Sequence, residues 1–251
     1  MKDLLARIAR FAGYEVVPVW RLEHFELSNH LRDLFDRLDI RCVIDVGANA
    51  GQYRDFLRTN VGYENLILSF EPLPDLVNIL NEKSAADPNW KVFPYALGNE
   101  NGTRTFNIAA SSQFSSFLSP DNSDIQGLED KNVVTSKTTV NIRRLDTVFD
   151  EIKKEWDVEN VYLKLDTQGF DLEVIKGGEN SLKEILGLQS EIPMIKIYGG
   201  MPDFSTSLDA FLNRGYQITG MFPVNRDANL RVIDFDCTMI NEPVIRKLLT
   251  K

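Results

Sequence analysis

The chain predicts an α/β protein: a three-layer αβα sandwich with a mostly parallel sheet and helices on both faces. Three observations predict it. Short apolar runs alternate with helix-periodic segments along most of the 251 residues. Four of those runs carry an acid at or near their ends: Asp45, Glu71, Asp166 and Glu191. One run, Val43-Ile44-Asp45-Val46, passes straight into two glycines four apart, Gly47 and Gly51, as a strand does when it turns tightly into a helix.

The elements follow in order. Leu4, Leu5, Ile8 and Phe11 mark an apolar stripe on a helix over residues 2–12, suited to packing on the domain or to a contact in a homodimer. Leu31, Leu34, Phe35 and Leu38 share one face of a helix from His30 to Leu38. It leads into strand Cys42–Val46, helix Gln52–Arg58, strand Leu66–Phe70 and helix Leu73–Asn81, with Pro72 expected at the helix start, where a missing N–H costs little. Trp90–Leu97 reads as one third strand, and Thr103–Ile108 as its outward extension after a turn.

Residues 109–137 are rich in Ser, Asp and Asn and lack periodicity, and a loop of that length in a compact domain is often functional. Thr138–Ile142 is a short strand, Leu145–Lys153 a helix, and Asn160–Asp166 a strand ending in an acid. Helix Asp171–Lys176 stops at Gly177-Gly178, and residues 181–186 continue helically. Leu188–Ile192 is the fifth strand, followed by helix Ser207–Arg214 and strands Tyr216–Phe222 and Val232–Thr238 around a return at Asn225–Asn229.

Composition narrows the function. A net charge of -9, with no basic stretch interleaved with aromatics, argues against a nucleic-acid partner. Cys42 and Cys237 lie in apolar runs and read as buried thiols, not a disulfide scaffold. No run reaches the roughly 20 apolar residues of a transmembrane span, and the N-terminus is amphipathic, unlike a signal-peptide core. A cytoplasmic protein is the expectation.

The strand tips form one candidate site, since ligands of open α/β sheets sit beyond the carboxyl ends of the strands. Gly47-x-x-x-Gly51 lacks the third glycine of the dinucleotide fingerprint, and no Gly-Lys-Ser/Thr marks a triphosphate loop. The turn still permits close backbone approach, and the helix after it offers an N-terminus to an anionic group. Glu71, at the tip of the second strand, is placed to accept both hydroxyls of a ribose.

These residues carry a resemblance. Asp45-Val46-Gly47-Ala48-Asn49-Ala50-Gly51, Phe70-Glu71-Pro72, Ala96-Leu97-Gly98, Arg144-Leu145-Asp146, Lys164-Leu165-Asp166-Thr167-Gln168-Gly169 and Glu173-Val174-Ile175-Lys176-Gly177 occur in the order and spacing of the FkbM-type methyltransferases. The chain resembles that family from about residue 40 to about residue 240. The resemblance implies a Rossmann-like class I methyltransferase fold, seven-stranded with an antiparallel strand at its edge. It implies S-adenosyl-L-methionine as cofactor and methyl transfer to a hydroxyl of a sugar, glycolipid or small natural product. Residues 1–39 would be a helical extension packed on the core, and 40–251 the catalytic domain.

By motif match, Asp45, Gly47, Asn49 and Gly51 would line the methionine part of the cofactor, with Ala48 and Gln52 beside them. Glu71 and Pro72 would meet the ribose, and Ala96 and Leu97 would flank the adenine. Ser115, Asp166 and Gln168 complete the expected cofactor contacts, and Ser116 would touch the acceptor. Gln168 stands where relatives often carry Glu, which removes a charge and any proton-abstracting or metal role there.

Chemistry adds the rest. An alcohol acceptor needs a base near its proton; Asp166 is the first candidate and Glu191 the second, with Lys164 on the same strand face as Asp166 to pair with a carboxylate. Asp166 with Glu191 lacks a third clustered acid for a divalent cation, and His24 and His30 make no zinc signature, so no metal is expected. An upstream lid carrying His24 over the acceptor is a minor alternative. Acceptor recognition is assigned to Ser111–Ser123, to a mobile loop at Tyr198–Pro202, and to Arg226 near the late turn.

Overall fold

The computed structural model describes residues 24–249 continuously, with residues 9, 11–14, 16–19 and 22 ahead of them. The helix expected over 2–12 lies almost wholly outside the described residues.

Seven strands form the main sheet: β1 (Cys42–Val46), β2 (Leu66–Phe70), β3 (Trp90–Phe93), β7 (Val161–Leu165), β8 (Gly187–Pro193), β9 (Tyr216–Pro223) and β10 (Asp234–Asn241), in the order β3-β2-β1-β7-β8-β10-β9. β1 lies between β2 and β7, parallel to both, and all five of its residues are buried. The antiparallel strand expected at the edge sits one place in. β10 runs against both β8 and β9, and β9 is the edge. The return over 224–233 is the cause: Val224 N–H donates to Asp234 O and Ile233 N–H to Asn225 O, which folds β10 back beside β9 and against β8.

Strand alternation sorts the core into two layers. Cys42, Ile44 and Val46 face one layer, with α4 (Leu145–Trp156), α5 (Asp171–Lys176) and α6 (Phe204–Leu212) packed on it through Val148, Val174 and Phe211. Val43, Ile67 and Tyr162 face the other, under α1 (Phe25–Leu38) and α3 (Pro74–Ser84). α1 begins five residues before the expected start because Leu27 extends the stripe of Leu31, Leu34 and Phe35 by one turn. Among the described residues, α1 packs on the core through Leu27, Leu31, Leu34 and Phe35.

α2 (Gln52–Phe56) continues as a wide π turn over Leu57–Val61 instead of ending near Arg58. The turn buries both Leu57 and Val61, and Arg32 caps its carbonyls, donating to Val61 O at 3.0 Å and Asn60 O at 2.7 Å. α3 takes Pro74, not Pro72, into its first turn.

The expected third strand breaks in two. Pro94 has no N–H to donate, so the ladder with β2 ends at Phe93. β4 (Ala96–Gly98) then joins a second, three-stranded sheet with β5 (Gly102–Ala109) and β6 (Val134–Arg144), in the order β4-β6-β5. The loop between β5 and β6 is therefore 110–133, with one 3-10 turn at Ser112–Phe114. It is pinned to the segments that follow β8 and precede β10. Asn132 is fully buried and donates to Ile197 O at 3.0 Å, and Ile125 packs with Ile197, Tyr198 and Ile233. The helical continuation over 181–186 is a single 3-10 turn at Ser181–Lys183, and α7 (Glu242–Leu249), absent from the sequence reading, closes the described chain. Cys42 and Cys237 are free, buried thiols. Among the described residues no helix is long and apolar enough to cross a membrane.

Candidate active site

A cavity of about 440 Å³ opens beyond the ends of β1, β2, β7, β8 and β10, within the size of ordinary small-molecule sites. The glycine turn builds one wall. Gly47 has φ +85, and a Cβ there would lie 1.9 Å from the Asp166 carbonyl oxygen, so only glycine lets the β1 turn meet the end of β7. Its N–H and that of Ala48 donate to Phe70 O at 3.0 and 3.1 Å, which ties the turn to β2. Gly51 is also left-handed at φ +88; a Cβ there would lie 3.0 Å from the Trp90 ring, and the residue does not line the cavity.

Glu71 is held by backbone. Its Oε2 accepts the Asn49 N–H and its Oε1 the Leu73 N–H, each at 2.9 Å, and it faces the cavity at 5% exposure. Burial pushes its carboxyl up to about 7, against the two N–H bonds that favour the charged form. Asn49 lines the cavity and donates to Ser112 Oγ at 3.1 Å. The N-terminus of α2 is less open than expected: Ala50 N–H is taken by Asn49 Oδ1 and Gln52 Oε1 at 2.8 and 3.0 Å. Ala48, Gln52, Pro72, Ala96 and Leu97 line the cavity, and Phe114 and Phe117 add apolar surface from the 110–133 loop and its start.

The second wall is acidic. Register explains its base: on the strand face of Val43 and Tyr162, Asp45 lies beside Ser69 on one side and Lys164 on the other. Asp45 is fully buried and does not reach the cavity, contrary to the expectation of a ligand contact. Its Oδ2 accepts from Ser69 Oγ at 2.9 Å; its Oδ1 has no hydrogen bond and faces Lys164 Nζ at 3.4 Å. Burial pushes its carboxyl up, partly offset by Lys164 and Ser69. Burial alone would lower Lys164; the carboxylates of Asp166, Asp45 and Glu191 outweigh it and hold the ammonium above its ordinary value. Lys164 Nζ donates to Asp166 Oδ2 at 3.1 Å and sits 5.1 Å from the Tyr53 ring centre.

Asp166 and Glu191 both line the cavity, bridged by one side chain. Gln168 Nε2 donates to Asp166 Oδ1 at 2.9 Å and to Glu191 Oε2 at 3.1 Å. Burial first, then the charges of Asp166, Asp234 and Asp236, push Glu191 well above the usual carboxylate range. Asp234 and Asp236 were not expected here. They share a strand face at the start of β10, and Asp236 stands directly across from Glu191. Burial pushes Asp236 up to about 7. The alternation Asp234-Phe235-Asp236-Cys237 was the available signal, but it reads equally well as a solvated face. Gln189 and Asn225 join the same wall, as do His24 and Leu27 from the N-terminal side. The missing third acid is thus present, yet among the described residues no group of three His, Cys, Asp or Glu side chains is placed to hold a metal ion.

Three expected acceptor contacts fall elsewhere. Ser116 is 1% exposed and spends its hydroxyl on Gln168 O at 2.8 Å, so it shapes the wall from behind. Tyr198 is 1% exposed, not on a mobile loop, because its ring fills the cluster of Ile125, Ile197 and Met201. Arg226 is exposed away from the cavity, bonded to Leu230 O across the late return. Ser115 does line the cavity, with its Oγ accepting the Ala109 N–H at 3.1 Å.

Residues 45–218 match the methyltransferase FkbM domain. Solved structures similar to the chain include a methyltransferase FkbM from Methylobacillus flagellatus KT, at 14% identity and TM-score 0.47, covering 80% of this chain and 44% of that one. A SAM-dependent methyltransferase from Aquifex aeolicus aligns at 14% identity and TM-score 0.39, over 89% of this chain and 94% of that one. An rRNA methylase from Streptococcus thermophilus aligns at 12% identity and TM-score 0.44, over 86% and 95%. No curated protein matches the chain. The family match spans more than half of the sequence and joins a Rossmann-like sheet of class I methyltransferase type. The chain belongs to the FkbM methyltransferase family, whose domain takes S-adenosyl-L-methionine as its cofactor.

Proposed function

We propose that the protein methylates a hydroxyl oxygen on a sugar, glycolipid or small natural product. The observation that carries this reading is the pair of cavity-lining carboxylates, Asp166 and Glu191, bridged by Gln168 beside the glycine turn. The cavity fits the cofactor: Gly47, Ala48 and Asn49 would hold its methionine part, Glu71 its ribose, and Ala96 and Leu97 its adenine. When bound, S-adenosyl-L-methionine supplies an electrophilic methyl group on a sulfonium sulfur.

The chain's own residues do the remainder. The walls align the acceptor, which by itself lowers the barrier substantially. The acceptor's hydroxyl hydrogen bonds to the Asp166–Glu191 pair, and one of the two carboxylates, Asp166 first and Glu191 second, takes its proton as the oxygen attacks the methyl carbon. Lys164 steadies Asp166 from below. The buried free thiols Cys42 and Cys237 accord with a cytoplasmic setting.

Calorimetric titration tests the cofactor assignment: S-adenosylmethionine and S-adenosylhomocysteine should bind and NAD should not. Tight NAD binding without the other two overturns it. Acceptor identity requires a screen with methyl-labelled cofactor. On the acceptor so found, Asp166→Asn should lower kcat by about 10²–10⁴ while moving cofactor affinity far less. Equal losses in both would place Asp166 among the cofactor contacts instead. One observation favours a second reading: Lys164 is the only Lys or Arg among the described residues that line the cavity, against five carboxylates. An amine acceptor suits that field, and the labelled product distinguishes O-methyl from N-methyl.

A further inference from the structure

We propose that Gln168 and Tyr198 are positioning residues that hold Asp166 and Glu191 in one fixed arrangement, with Tyr198 acting through the Gln168 amide. The inference rests on the reading of those two acids as the proton-accepting pair.

The geometry is a relay. The Gln168 amide has two N–H donors and one oxygen. Its nitrogen lies 2.9 Å from Asp166 Oδ1 and 3.1 Å from Glu191 Oε2, so each carboxylate receives a bond from one amide nitrogen. Its oxygen lies 2.8 Å from the Tyr198 hydroxyl. The reverse orientation would set the amide oxygen against two carboxylates and leave Tyr198 facing an NH2 group. Tyr198 has a second acceptor in Phe114 O at 3.0 Å, and Gln168 Oε1 at 2.8 Å is the nearer of the two.

The backbone supports the same arrangement. Gln168 stands at φ +53, a left-handed conformation uncommon for a side chain of its size. Ser116 Oγ donates to its carbonyl at 2.8 Å and so holds the unusual turn. Strain of this kind persists where surrounding contacts over-determine it, and it gathers at functional sites. Burial, then the charges of Glu191 and Asp166, keep the Tyr198 phenol above its ordinary value and therefore a donor. The other charged groups around the pair are Lys164, Asp45, Glu71, Asp171, Asp234 and Asp236. None of them donates a side-chain hydrogen bond to the Glu191 carboxylate, whose side-chain partner among the described residues is Gln168.

The test uses the full chain with S-adenosylhomocysteine bound, and reads the carboxyl titration of Glu191 by carbon-13 NMR. Gln168→Met should raise its midpoint by about one unit or more, because the bond that favours the charged form is gone. Tyr198→Phe keeps the ring and should raise it by about half a unit. The double variant should match Gln168→Met alone, since Tyr198 acts only through that amide. A midpoint unchanged in Tyr198→Phe, with only the melting temperature lowered, would reduce Tyr198 to packing and overturn the proposal. Additive shifts in the double variant would overturn the relay. Failure of wild-type protein to bind S-adenosylhomocysteine would instead overturn the functional reading on which the inference rests.

Discussion

Glu71→Ala is expected to weaken S-adenosylmethionine binding by roughly a hundredfold or more. Bonds to a charged group contribute about 1.5–3 kcal/mol each, and a carboxylate that accepts two ribose hydroxyls gives up about that much twice. The variant also strands the N–H groups of Asn49 and Leu73, which Glu71 now satisfies at 2.9 Å each. Some loss of folding stability should therefore accompany the loss of affinity. Glu71→Gln separates the two effects, because its single amide oxygen can keep one of those bonds. Acidity gives an independent check. Glu71 titrates at about 7 in the free protein, and the ionised form is the one that accepts both hydroxyls. Below that value protons compete with the cofactor, so the dissociation constant should be about tenfold higher at pH 6 than on the plateau near pH 8. Calorimetry across that range should show a steeper slope in wild type than in Glu71→Gln, where Asp236, also pushed up to about 7, still titrates in the same cavity.

Gly47→Ala is expected to cost several kcal/mol, a large share of the roughly 5–15 kcal/mol that holds a domain folded. The added Cβ would meet the Asp166 carbonyl oxygen at 1.9 Å and its carbon at 2.9 Å. Those are backbone atoms at the end of a central strand and cannot rotate aside. Strain at φ +85 adds about 1–2 kcal/mol. Gly62 supplies the control: it has φ +82 but nothing within 4 Å of its missing Cβ. Gly62→Ala should lose only the conformational part. Urea unfolding of the two variants should show a midpoint drop far larger at position 47. Equal drops would mean that the close approach to β7 contributes nothing.

The main sheet was legible because its signals are local. Cys42–Val46 and Leu66–Phe70 are runs of apolar residues bounded by turn chemistry, and their limits in the structure are those read from sequence. Gly47 and Glu71 were legible because a tight turn and a strand tip restrict which residues serve. The second sheet was not. Trp90–Leu97 is continuous in hydrophobicity, and only the pairing of Ala96–Gly98 with Ile142–Arg144, over forty residues away, shows that the strand changes partners. The acids of β10 were missed for a related reason. Asp234 and Asp236 enter the cavity because the returning strand pairs with β8 as well as β9, and the local return at Asn225–Asn229 does not record that second pairing. Tyr198 misled in the opposite sense: the Gly199-Gly200 that follows it suggests mobility, but its ring and hydroxyl are both claimed by neighbours.

That same strand reversal brings residues from beyond the family match into the cavity. Gly47, Glu71 and Leu97 lie inside the stretch shared with the family, which ends at residue 218. Asn225, Asp234 and Asp236 reach the cavity from beyond that boundary, and His24 and Leu27 from before it. Segments on both sides of the matched stretch therefore furnish part of the cavity wall, so the cavity is not assembled from that stretch alone.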